Sequence, residues 1–166
     1  FVGGFVFFKR LNSDGSIDPT FSGTGISQTI SNPSSISILQ GGSFLVSGTV
    51  GRSHGQRFDN DWAVGRFSAS GVLDSTFGVS GLALFDSGLH DYCTKMVVQS
   101  DSKIVLAGYS ENSSLRQKIG KIIRMHASGV LHAEFGNNGV FDLSSLPLHN
   151  RSQINSLILL PVGGLL

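Results

Sequence analysis

The chain of 166 residues is about one domain's worth, and its 22 glycines and 26 serines make it rich in turn-forming types. Only 14% of residues are charged against 40% hydrophobic, which excludes charge-driven disorder and leaves apolar material for a core. A formal net charge of +1 supplies no basic field for nucleic acid, one cysteine makes no internal disulfide, and no apolar run reaches the roughly 18 residues of a membrane span.

In chain order, the first signal is Arg10-Leu11-Asn12-Ser13-Asp14-Gly15-Ser16-Ile17-Asp18-Pro19-Thr20-Phe21, followed by Gly25. Gly15 fits the positive-φ position of a tight strand reversal. Asp14 and Asp18, with Asn12, also imitate the alternating oxygen ligands of a calcium loop, which is the alternative reading there. A second half-motif, Leu39-Gln40-Gly41-Gly42-Ser43-Phe44-Leu45-Val46, precedes a polar stretch at 49–60 that carries Arg52, His54, Arg57 and Phe58. Residues 62–67 read as a strand, and the first motif returns 56 residues after its first appearance, with Arg66, Gly71, Asp74, Phe77 and Gly81.

Residues 82–85 read as the next strand, and 86–92 form an insertion with His90 and Asp91. Strands at 94–99 and 103–107 flank Gln99-Ser100-Asp101-Ser102-Lys103, the second half-motif again. Cys93 leads into this pair and reads as a buried thiol rather than a nucleophile. Residues 109–120 carry Glu111, Asn112, Arg116 and Lys118, and 118–125, which could pass for a short helix, is assigned to strand by its repeat partners. The first motif returns a third time, 58 residues on, with Arg124, Gly129, Phe135 and Gly139, but with His132 in place of the aspartate. An insertion at 142–153 holds His149 and Arg151, and a degenerate second half-motif closes the sequence.

A period of about 57 residues with four short extended runs per period predicts an all-β chain of β-propeller-like repeats. The expectation is three four-stranded antiparallel blades in units 5–60, 61–118 and 119–166, the first and last incomplete, making an incomplete propeller. The chain starts at Phe1 with no basic-then-apolar leader, so any targeting signal is expected to lie elsewhere. The two half-motifs together, ending in Gln99-x-Asp101-x-Lys103-Ile104-Val105-x-Ala107-Gly108, resemble the delta-60 repeat family of bacterial proteins. That resemblance implies a β-propeller domain of unknown function, a fold rather than a reaction.

Recurrence assigns structural work to Arg10, Arg66 and Arg124, to Gly15, Gly71 and Gly129, to Phe21, Phe77 and Phe135, and to Gly25, Gly81 and Gly139. The phenylalanines should be core or blade-to-blade wedges. Arg10 should pair with Asp18 and Arg66 with Asp74, leaving Arg124 to backbone carbonyls or water. Function is expected where copies differ. The candidates are Arg52, His54, Arg57 and Phe58 in one loop, and Glu111 and Arg116 in another on the same face. Each loop should join the last strand of one unit to the first of the next. His90, Asp91, His149 and Arg151 belong to the insertions at 86–92 and 142–153, expected on the opposing face.

The five histidines show no metal-ligand spacing, no phosphate loop is present, and no cofactor is implied. The reading is a non-catalytic repeat scaffold or binding module that presents its loops to a protein or glycan, outside the cell or on its surface. Its other expected contacts are the remaining blades of a longer parent chain or self-association, with neither nucleic acid nor membrane insertion. The alternative is a fragment of a carbohydrate-active propeller enzyme, a glycosidase or lyase, with Asp91, Glu111 and Asp142 as its carboxylates.

Overall fold

The computed structural model describes residues 9–21, 30–55, 57–146, 151–160 and 164–165, apart from the side chains of His54, Arg57 and Ser145. Gly25 and His149 lie outside the described residues. The described residues form eight strands: β1 (Ser31–Ile38), β2 (Phe44–His54), β3 (Arg57–Phe67), β4 (Leu82–Phe85), β5 (His90–Val98), β6 (Ile104–Asn112), β7 (Gln117–Met125) and β8 (Val140–Asp142). The only helical pieces among the described residues are three-residue 3-10 turns at Gln40–Gly42 and Leu143–Ser145. Strands pair antiparallel in sequence order into two four-stranded sheets, β1-β2-β3-β4 and β5-β6-β7-β8.

Two sheets, not three, are therefore present among the described residues, and the reason lies in how the motifs assemble. Each sheet takes its two leading strands from the second half-motif of one copy and its two trailing strands from the first half-motif of the next. Three copies of each half then complete only two sheets. The outlying halves contribute isolated bridges, Leu11↔Ile17 at one end and Lys118↔Arg151 and Leu159↔Leu165 at the other.

Both faces of each sheet are covered, which explains why the strands read as continuous apolar runs rather than alternating ones. Along β2 and β3, Leu45, Trp62 and Val64 point into the core between the sheets, where they meet Met96, Ile104, Leu106, Ile123 and Met125. Their neighbours Phe44, Val46, Ala63 and Phe67 pack on the opposite face with Ile30. On β6 the same alternation sends Val105 and Ala107 outward beneath Leu157 and Ile154. Cys93 is buried in the inter-sheet core, and burial pushes its thiol pKa up, as expected of an inert side chain.

At one end of the sheets the three copies of the first motif form a row of turns with one geometry. Gly15, Gly71 and Gly129 stand at φ +85, +87 and +88, and each amide donates to the carbonyl three residues earlier. Successive turns are locked together. Arg10 Nε binds Asp18 at 2.7 Å, Nη2 donates to Thr20 Oγ1 at 3.1 Å, and Nη1 crosses to the Ala69 carbonyl of the next turn at 2.9 Å. Arg66 repeats this with Asp74 at 2.7 Å, Thr76 at 3.1 Å and the Ala127 carbonyl at 3.4 Å. Each guanidinium also lies over its own phenylalanine, Phe21 at 5.2 Å and Phe77 at 5.0 Å. Phe77 is fully buried against the next turn, so close that a Cβ on Gly129 would sit 3.0 Å from its Cζ. Phe21 meets Gly71 in the same way, at 2.7 Å. The repeated glycine thus serves twice, in the turn's backbone and as the flat seat for the preceding phenylalanine.

The third copy corrects one expectation. Arg124 does not turn to backbone carbonyls; it stays over Phe135 at 4.5 Å with Nη2 3.4 Å from His132 Nδ1. A guanidinium only donates, so Nδ1 is the acceptor in that contact. The apolar ring beneath the guanidinium holds Arg124 in place even without a carboxylate.

Replacing Gly15 with Ala should cost only the positive-φ penalty, about 1 kcal/mol, because nothing lies within 4 Å of its Cβ position. Gly129→Ala should cost clearly more, since it also collides with Phe77 and Ala83; urea melts of the two variants check the order. His132→Asp should raise the midpoint slightly in the same melts, by restoring the carboxylate that pairs with Arg10 and Arg66 in the other two copies.

Candidate functional site

Antiparallel order puts the β2–β3 hairpin, the β4–β5 connection and the β6–β7 hairpin at the end opposite the locked turns. This corrects two expectations. Residues 49–60 and 109–120 are hairpins within a sheet, not links between units, and residues 86–92 emerge beside them, as does Arg151 of 142–153 by its bridge to Lys118, not on the opposing face. The register explains it: β2 pairs with β3 from Phe44↔Phe67 out to His54↔Arg57, and His90 at the start of β5 lies opposite Glu111.

Carboxylates gather at this hairpin end. Asp59 and Asp61 on β3 and Asp91 on β5 are buried. Oxygens of Asp61, Asp86 and Asp91 lie within 4.8 Å of one another. The chain folds locally to hold them. Asp86 caps its own turn by accepting from the Gly88 amide at 2.6 Å. Asp91 accepts from the Ser87 amide at 2.8 Å, the Ser87 hydroxyl at 2.6 Å and the Ser110 hydroxyl at 2.5 Å. Arg52, diagonal across the β2–β3 pair, reaches Asp61 at 3.4 Å. Three such oxygens have the spacing a divalent cation could share, but hydroxyls, an amide and a guanidinium already serve the cluster from within. The other candidate calcium carboxylates, Asp14 and Asp18, are engaged by Ser16 and by Thr20 with Arg10.

A cleft of about 160 Å³ opens beside the cluster, lined by Asp59, Gly88, Leu89, His90, Glu111 and Asn112 among others. Glu111 is 3.9 Å from Lys118, whose Nζ lies 4.4 Å over the ring of Tyr109. Tyr109 in turn stacks on Tyr92 at 5.0 Å between centroids. The result is a part-exposed patch of two aromatic rings, one cation and one acid, Glu111. A wider cleft of about 860 Å³ lies at the turn end, but Gln40, Arg66, Asp74 and Gln99 in its lining belong to the repeating motifs.

Of the candidate residues, the structure brings His90 and Glu111 into one cleft, sets Asp91 in the adjoining cluster and ties Arg52 to it. Phe58 is 62% exposed on the β2–β3 hairpin, whose turn is flanked by His54 and Arg57. Arg116 occupies the tip of the β6–β7 hairpin at φ +51, and the backbone of Arg151 bridges to Lys118. Asp91, Glu111 and Asp142 do not converge. Asp91 shares a sheet face with Ser110, so Glu111, the next residue, projects to the other face. Asp142 pairs with Lys121 on the far side of the sheet, three strand spacings or about 14 Å from β5. Sequence reasoning missed the meeting of Asp61, Asp86 and Asp91, and the Tyr92–Tyr109 stack. The clue to the first was the lack of repetition: 58 residues on, Asp59 and Asp61 are replaced by Gln117 and Ile119.

A family model described as "Domain of unknown function (DUF5122) beta-propeller" matches residues 3–21, the stretch that holds the first copy of the turn motif. The match supports a β-propeller family of unknown function. No curated protein and no solved structure matches the chain.

The aspartates should titrate in opposite directions. Burial first, then the neighbouring Asp61 charge, raises the Asp91 pKa against the pull of its serine hydrogen bonds. Thr20's hydroxyl and amide, with Arg10 adding to them, hold Asp18 down at about 2. Asp18 therefore contributes stability above pH 3.8 that is lost as pH falls through about 2. Asp91 has the reverse sign: ionising it weakens the fold, and protonating it relieves the cluster. Carboxyl NMR titration should place Asp91 above 3.8 and Asp18 well below it.

Proposed function

We propose that the chain belongs to the delta-60 repeat family and contributes three blades' worth of motifs to an incomplete propeller that acts as a non-catalytic binding module. Its site is the hairpin end, turned toward a protein or glycan partner outside a bacterial cell or on its surface. One observation carries this reading. The residues that recur are consumed in joining turn to turn, whereas side chains that do not recur, Asp59, His90, Glu111 and Asn112, line one cleft at the other end, next to the Asp61–Asp86–Asp91 cluster. The half-exposed Glu111 and the stacked tyrosines suit hydroxyl-rich or cationic groups, which glycans and basic protein segments both offer. Screening the chain on a glycan array and against surface proteins should give a binder that the double variant His90→Ala/Glu111→Gln loses. Binding that survives this change would move the site away from the cleft.

The second reading, a carbohydrate-active propeller enzyme, has the raised Asp91 carboxyl on its side, since a general acid needs such a shift. Against it stand the full burial of Asp91 and the absence of a facing carboxylate in Glu111 or Asp142. Release of reducing sugar from a glycan bound by the wild-type chain, abolished in Asp91→Asn, would favour the enzyme.

A further inference from the structure

The row of locked turns leaves one half of a lock unused at each end. At the first turn, Gly15 has the conformation of Gly71 and Gly129, yet no described residue lies within 4 Å of its Cβ position, where those two seat Phe21 and Phe77. At the third turn, Phe135 and Arg124 are formed as wedge and clamp. The Phe135 amide donates to His132, the Gly139 amide to Phe135, and the guanidinium covers the ring. Among the described residues, however, Phe135 has no glycine seat. Among the described residues, Arg124 Nη1 has no counterpart to the bonds that Arg10 and Arg66 Nη1 make to the next turn, and the Gly136 amide none to the 3.0 Å bond from Gly78 N to the Ser128 carbonyl.

We propose that these two halves join between copies of the chain, the third turn of one molecule docking on the first turn of the next. By analogy with the two internal locks, Phe135 seats on Gly15, Arg124 donates to the Ser13 carbonyl, and the Gly136 amide donates to the Asp14 carbonyl. The occupant is a second copy because, among the described residues, the Gly15 turn has the required form and an open seat. Each wedge points along the row to the following turn, so the vacant wedge and vacant seat lie at opposite ends and cannot meet within one molecule. Both halves are rigid before they meet, which lowers the ordering cost of association. The contact is head-to-tail, and rings result if it closes. Two copies bring six turns together, within the four to eight blades of typical propellers.

Sedimentation velocity over a concentration series tests this. Wild type should associate. Phe135→Ala, which removes the wedge, and Gly15→Ala, whose Cβ would strike the incoming ring, should each weaken association by about tenfold or more. Mixing the two variants should restore 1:1 pairing, because each supplies the half the other has lost. Melts of the separate variants check that both remain folded, and if Phe135→Ala does not, Gly15→Ala decides alone. A wild type that stays monomeric throughout, or association that Gly15→Ala leaves unchanged, would overturn the proposal.

Discussion

A flat aromatic ring pressed on a glycine of the next turn is the contact on which the rest of this chain depends. Phe77 on Gly129 and Phe21 on Gly71 tolerate no Cβ, and each is covered by an arginine that reaches over to a carbonyl of the same neighbouring turn. The exposed part of this arrangement, the Arg–Asp pair, is worth little by itself. Its value is orientation. The pair ties the guanidinium to its own turn, while the ring beneath it suffices to keep it in place, as Arg124 over Phe135 shows without a carboxylate. Truncating a buried Phe such as Phe77 removes roughly 3–5 kcal/mol, a large share of what a small domain has.

This contact also divides the molecule. With recurrence spent at the turn end, the hairpin end is free to differ between copies, and there it holds buried and exposed acids, a histidine and stacked tyrosines. Asp91 illustrates the cost. It sits in a site that disfavours its charge, held by two serines. Unfavourable groups retained on one end of a well-packed scaffold are where binding chemistry is usually found.

Much of the fold was legible in the sequence. The triple Arg-to-Phe motif located the turns and identified Phe77 as a wedge, and the repeat partners of residues 117–125 settled that segment as strand β7. The sheet boundaries were not legible, because a repeat has no marked start: the same period fits a unit opening at Trp62 or at Ser31, and only the observed pairing chooses Ser31. That choice moved residues 86–92 to the other end and brought Asp86 to Asp61. The acid cluster depends on tertiary pairing that brings Asp61 to Asp86 and Asp91, 25 and 30 positions further along, which no local pattern encodes. Arg124 shows a smaller limit. Removing the carboxylate was expected to redirect the arginine, but the ring beneath it outweighs the missing partner.

The central claim is that turn-to-turn contact builds the structure, and amide hydrogen exchange of two equivalent glycines in dilute protein tests it directly. Gly78 N binds the Ser128 carbonyl of the next turn at 3.0 Å, while Gly136 holds the same backbone conformation with no such neighbour among the described residues. The account predicts that Gly78 exchanges only with opening near the global free energy, and Gly136 many-fold faster. Equal exchange at both positions would contradict it, because the turns would then fold without holding one another.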